Sequence, residues 1–116
     1  MSMKATVRTV DGVTVVDVSG RITLGEGFTQ LRELIREELG KGNKNILLNL
    51  ADVTYIDSSG IGELVSSYTT VTNNGGSLKL LNLTNKIQEL LAITKLLTVF
   101  QVFDNEQSAL ASFSAK

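Results

Sequence analysis

Polar chemistry in this chain gathers in one tetrapeptide, Asp57-Ser58-Ser59-Gly60, with a further glycine at Gly62. Side chains of these types at this spacing can do four things. An Asp or Ser ahead of a helix caps it, accepting hydrogen bonds from first-turn N–H groups that have no other partner. A serine can also act as a nucleophile, but only with a base beside it. The chain has no His, so a lysine or carboxylate would have to serve, and Lys41, Lys44 and Lys79 stand in no recognisable pairing motif. A phosphate-cradling loop needs the Walker spacing and its Gly-Lys-Ser/Thr ending, which are missing. Lastly, a serine that opens a helix is easily phosphorylated, since the phosphate brings about −1.5 to −2 charges to the positive end of the helix dipole. The two glycines exceed what a cap requires. Each lowers helix propensity by up to ~1 kcal/mol against Ala. Gly60 and Gly62 are therefore read as keeping the surface beside the serines low, so that another protein can approach the backbone.

Absent residue types narrow the chemistry further. Without Cys there is no disulfide framework, thiol nucleophile or cysteine metal site. Without His the Ser-His-Asp triad and the usual zinc ligand sets are excluded. The net charge is −1, with Lys and Arg scattered among Asp and Glu, which is no footprint for a nucleic acid. The four Phe and two Tyr form no base-stacking cluster. No stretch approaches the ~20 apolar residues that span a bilayer, so no membrane insertion is expected. Met1–Arg8 lacks the apolar run of a signal peptide. The expectation is a soluble protein of the cytoplasm, folded as one domain over residues 1–116.

The elements that must position the tetrapeptide follow from periodicity. Lys4–Val10 and Val13–Ser19 are β-rich runs joined by Asp11-Gly12, the signature of a tight antiparallel hairpin. Gly20 should end the second strand, and the loop Gly20–Gly27 should lead into a helix. Phe28, Leu31, Ile35 and Leu39 form the apolar stripe of that helix, with Arg32, Glu33, Arg36 and Glu37 on solvated faces. Ile46–Leu50 lacks alternation, as a strand covered on both faces does. A polar connection then reaches Asp57-Ser58-Ser59-Gly60 and a helix striped by Ile61, Leu64, Val65, Tyr68 and Val71. Leu78–Leu83 reads as a strand, Ile87, Leu90 and Leu91 as a third helix, Val99–Phe103 as a last strand, and Leu110 and Phe113 as a closing helix. The implied fold class is α/β: a single-domain mixed β-sheet with an opening antiparallel hairpin, a βαβαβ unit with right-handed crossovers, and helices packed on the sheet. The tetrapeptide then sits at the carboxyl end of a buried strand, a favoured place for function in such folds.

Taken in this order, the elements and the motif resemble the STAS domain, the module named for sulfate transporters and anti-sigma-factor antagonists. The likeness runs over essentially the whole chain. It includes the hairpin with Val13–Gly20, the Ile46–Leu50 strand, Tyr55-Ile56-Asp57-Ser58-Ser59-Gly60-Ile61-Gly62, and Gly75-Gly76-Ser77-Leu78. The resemblance implies a protein-binding switch and not an enzyme, with no cofactor and no metal. Its implied partner is an anti-sigma factor with serine kinase activity, bound while the antagonist is unmodified. Phosphorylation of the first serine after the aspartate, here Ser58, implies release, and a serine phosphatase resets the system. Asp57, Ser59, Gly60, Gly62 and Thr23 are the expected partner-binding residues. Thr23 is a departure, because Gly20-Arg21-Ile22-Thr23 stands where the family often has Gly-x-Leu-Asp. Other relatives serve as constitutive adaptor subunits of transport or sensory complexes, which is the alternative. A phosphorylatable serine within the full tetrapeptide favours the switch.

Overall fold

In the computed structural model, which describes residues 3–23 and 25–114 apart from the side chains of Glu26 and Phe28, the chain opens with the expected hairpin. The Phe28 position of the first helical stripe and the extreme ends of the 1–116 domain thus lie outside the described residues. Strands β1 (Lys4–Val10) and β2 (Val13–Ile22) pair antiparallel from Lys4↔Ser19 to Val10↔Val13. Asp11 and Gly12 turn between them with φ of 53° and 79°, the two positive angles a type I′ turn needs. The remaining elements are α1 (Glu26–Gly40), β3 (Asn45–Ile56), α2 (Ser58–Asn73), β4 (Ser77–Leu81), α3 (Asn85–Ile93), a 3₁₀ turn (Leu97–Val99), β5 (Val102–Phe103) and α4 (Glu106–Ser114). The sheet order is β1-β2-β3-β4-β5, with parallel pairing from β2 onward.

Strands β2, β3 and β4 divide their side chains between two cores. On one face Val16, Val18, Ile46, Leu48, Leu78 and Leu80 meet Leu31 and Ile35 of α1, Leu64 and Val71 of α2, and Ile87 and Leu91 of α3. On the other, Val13, Val15, Leu47 and Leu81 meet Ala109 and Leu110 of α4. Burial on both faces is why these strands are apolar without alternation.

Four boundaries in particular differ from the sequence expectation. β2 does not stop at Gly20 but runs to Ile22, and β3 does not stop at Leu50 but runs to Ile56. The stretch expected as a polar connection is strand. Its backbone is satisfied by pairing with β2, while Asp52, Thr54 and Tyr55 face solvent and hide the signal. Register shifts at Asp17/Ser19 and Gly20/Arg21 break the period of two here, so Val53 and Ile56 both turn inward. At the far edge, β4 ends at Leu81 and not Leu83, because Asn82 adopts φ 60°. The last strand shrinks to Val102–Phe103. Leu97–Val99 wind instead into the 3₁₀ turn, and Phe100 packs edge-on against Tyr68 with ring centroids 5.3 Å apart.

Of the residues expected on the solvated faces of α1, Glu33, Arg36 and Glu37 are exposed, whereas Arg32 is half-buried and pairs with a buried carboxylate of α2. Glu38 is buried, taking a 2.9 Å hydrogen bond from Asn43 Nδ2. On the α4 side of the sheet, Arg8 of β1 donates from Nε to Asp17 at 2.6 Å and from a terminal nitrogen to Glu106 at 2.7 Å. Asn49 of β3 adds a third donor to Asp17 at 2.8 Å. Hydrogen bonding to Arg8 holds both carboxyls below the usual carboxylate range, against the opposing effect of partial burial.

Candidate functional site

β3 pairs with β4 only from Asn45 to Asn49, yet with β2 up to Ile56. The carboxyl ends of β2 and β3 therefore project past the rest of the sheet, and Asp57-Ser58-Ser59-Gly60 starts there. Asp57 is extended, at φ −111° and ψ −174°, and is the N-cap of α2. Its carboxylate accepts the N–H of Gly60 at 2.9 Å, and its carbonyl accepts that of Ile61 at 3.0 Å. The cap is thus Asp57 and not Ser58. Ser58 is the first helical residue, exposed, and its hydroxyl has no hydrogen bond to any described residue. Ser59 is half-buried beside it. Thr23, also half-buried, is the first residue beyond β2; since Ile22 pairs with Ile56, it lies at the same end as Asp57.

The two glycines separate. Gly62 is exposed, with open space where a Cβ would stand. Gly60 is buried, and a Cβ there would run into the Ile22 carbonyl and the Ile56 side chain. Of the two, Gly62 alone leaves open surface beside the serines. Gly60 is needed because the first turn of α2 lies directly on the end of β2. Gly27 does the same for α1, its Cα facing the Arg21 carbonyl. The end of β2 is thereby gripped by the first turns of two helices.

Two further pairs at the site were not foreseen. Arg21 of β2 covers the ring of Tyr55 of β3, 4.6 Å from its centre, and both are exposed. One turn into α2, Glu63 is 1% exposed; Arg32 reaches it at 3.3 Å and Ser67 Oγ donates to it at 2.9 Å. Spacing offered a clue to the second pair. Counting from Gly60 in steps of three and four reaches Glu63, Ser67 and Val71, all buried. The first pair left no such clue, since it depends on register. Among the described residues no group of three or more carboxylates could hold a metal, no buried side-chain polar atom lacks a partner, and no helix is long and apolar enough to cross a membrane.

The arrangement exposes a hydroxyl at a helix N-terminus, directly after an aspartate whose carboxylate accepts the Gly60 N–H of the cap. The chain is similar to known proteins in sequence and in fold. The anti-sigma-B factor antagonist of Bacillus subtilis is 28% identical over 102 residues, covering 88% of this chain and 92% of that one. The crystal structure of an anti-sigma factor antagonist from Mycobacterium paratuberculosis superposes with a TM-score of 0.82 at 20% identity, covering 97% and 95% of the two chains. The Bacillus cell fate determinant SpoIIAA, in its phosphorylated form, superposes with a TM-score of 0.73 at 19% identity over 94% and 98%. At such identities the two structural matches speak to the fold. The family profile of the STAS domain matches residues 4–109, and the chain accordingly belongs to the STAS domain family.

Proposed function

We propose that this protein is an anti-sigma-factor antagonist, a protein-binding switch of transcription controlled by phosphorylation of Ser58. The observation that carries the reading is the division of labour at the start of α2. Asp57 does the capping, so the Ser58 hydroxyl has no duty in the fold and stands exposed at the positive end of the helix. A hydroxyl so placed serves a visiting enzyme. In the reaction Ser58 Oγ attacks the γ-phosphorus of ATP, ADP leaves, and the hydroxyl proton passes to a base of the kinase. The unmodified surface around Ser58, Ser59, Gly62 and Thr23 binds an anti-sigma factor that is itself the serine kinase, and the sigma factor is released. The phosphorylated form lets go, and a serine phosphatase restores it. The protein works in the cytoplasm, where its partners act, and has no turnover of its own.

The test is paired. With the cognate kinase and ATP the protein takes up one phosphate; Ser58→Ala abolishes uptake and Ser59→Ala keeps it. Wild-type bait retains the anti-sigma factor and Ser58→Asp does not. Full labelling of Ser58→Ala would overturn the assignment.

A further inference from the structure

The guanidinium of Arg21 rests on the face of Tyr55 at the projecting ends of β2 and β3. The two residues are register partners, and the next pair, Ile22↔Ile56, leads straight into Asp57 and Ser58. Ser58 is thus three residues beyond the ring that Arg21 covers, a span of at most about 10 Å. Arg8 and Arg32 are engaged with carboxylates. Arg21, among the described residues, has the exposed Tyr55 ring and no carboxylate. An exposed ring holds a guanidinium weakly, whereas a phosphate accepts two of its N–H groups in parallel.

The geometry points to Arg21 as the receptor for the phosphate on Ser58. When Ser58 is modified, the guanidinium leaves Tyr55 and pairs with the phosphate, which also faces the free first-turn N–H groups of α2. This rests on the reading that Ser58 is the phosphorylated residue, and it adds a subtractive element to the switch. In the unmodified protein an exposed arginine and tyrosine stand beside Ser58, and these residue types anchor protein interfaces. The phosphate draws the arginine out of that pair, so the partner loses an anchor as well as meeting a charge.

The experiment uses the full chain carrying phosphoserine at position 58, with Arg21 or Arg21→Gln, titrated by phosphorus NMR. A paired cation favours the dianion, so the wild-type phosphate should ionise at a pH lower by roughly half a unit or more. Arg21 side-chain resonances, shifted by the Tyr55 ring in the unmodified protein, should move toward their unstacked positions. Equal midpoints in the two proteins, or a ring shift that persists after phosphorylation, would overturn the proposal. Circular dichroism establishes that Arg21→Gln is folded. Tyr55→Leu is the complementary variant: it frees Arg21, so its midpoint should be as low as the wild type's, and a midpoint matching Arg21→Gln would count against transfer from the ring. None of these measurements needs a partner. Failure of the switch itself shows separately, as kinase labelling that survives Ser58→Ala.

Discussion

Gly60 and Gly62 lie two positions apart in α2 and meet different surroundings. A methyl at Gly60 has nowhere to go, because the Ile22 carbonyl and the Ile56 side chain already occupy its place. Gly60→Ala should therefore cost about 1–3 kcal/mol, as overpacking does. A methyl at Gly62 enters open space and removes the entropy penalty of a helical glycine, so Gly62→Ala should stabilise by roughly 0.5–1 kcal/mol. Thermal melts of the pair should move in opposite directions, and a loss of stability in both would show that Gly62 is also packed. The contrast has a practical use. Because Gly62 carries no packing duty, weakened partner binding in Gly62→Leu would report on docking, whereas the same loss in a Gly60 variant would mix docking with damage to the fold. Asp57→Ala removes the cap and should cost about 0.5–2 kcal/mol.

At the scale of elements, two polar clusters hold helices in place. Glu63 is buried between α1 and α2 and is compensated by Arg32 and Ser67. Removing the cation alone leaves a buried carboxylate short of a partner, so Arg32→Met should cost about 1–3 kcal/mol. Adding Glu63→Met should return most of that loss, and a double-mutant cycle measures the coupling. A cycle with no coupling would mean that Glu63 is held by the helix and Ser67 alone. The second cluster ties α4 to the hairpin through Arg8. Asp17 and Glu106 have carboxyls lowered mainly by their hydrogen bonds to Arg8. A carboxyl whose folded value lies below its unfolded one contributes stability above the unfolded value and loses it as pH falls through the folded one. The contribution is thus complete at neutral pH and is lost below about pH 4. Both ion pairs are about a third exposed, so each is worth no more than about 1 kcal/mol. Glu106→Gln should melt lower at pH 7 and lose less stability on acidification than the wild type. Parallel curves would show that the pair contributes nothing.

For the whole molecule, the proposed switch should act at the surface and leave the fold unchanged. A phosphate on Ser58 is attracted by the N-terminus of α2 by about 0.3–1 kcal/mol and repelled by Asp57, with water and salt screening both. The stability of the free domain should therefore change by about a kcal/mol or less, a few degrees in melting temperature. In a complex the same charge, even when held by Arg21, is desolvated without a cation waiting for it on the partner, and that costs several kcal/mol. Partner affinity should fall by about a hundredfold or more. Melting curves and titrations of the two forms check both halves. A large melting shift with spectral change across the sheet would show that modification remodels the domain.

The order of elements, the hairpin turn, the two-sided burial of Ile46–Leu50 and a capped helix start at Asp57 or Ser58 were all readable in the sequence, because each depends on residues close together in the chain. Turn angles belong to a dipeptide, a cap to four residues, a stripe to one helix. What the sequence left undecided depends on register and packing between distant segments. β3 extends to Ile56 because β2 is there to pair with it, although Asp52, Thr54 and Tyr55 in that stretch are exposed. Gly60 is obligatory because of the Ile22 carbonyl, thirty-eight positions earlier in the chain. Glu63 is tolerable in the core because α1 brings Arg32 to it, and Arg21 reaches Tyr55 because two strands align them. Local geometry sets which residue types can open a helix. Only the tertiary contacts decide that Gly60 is covered by the end of β2 while Ser58 is left exposed.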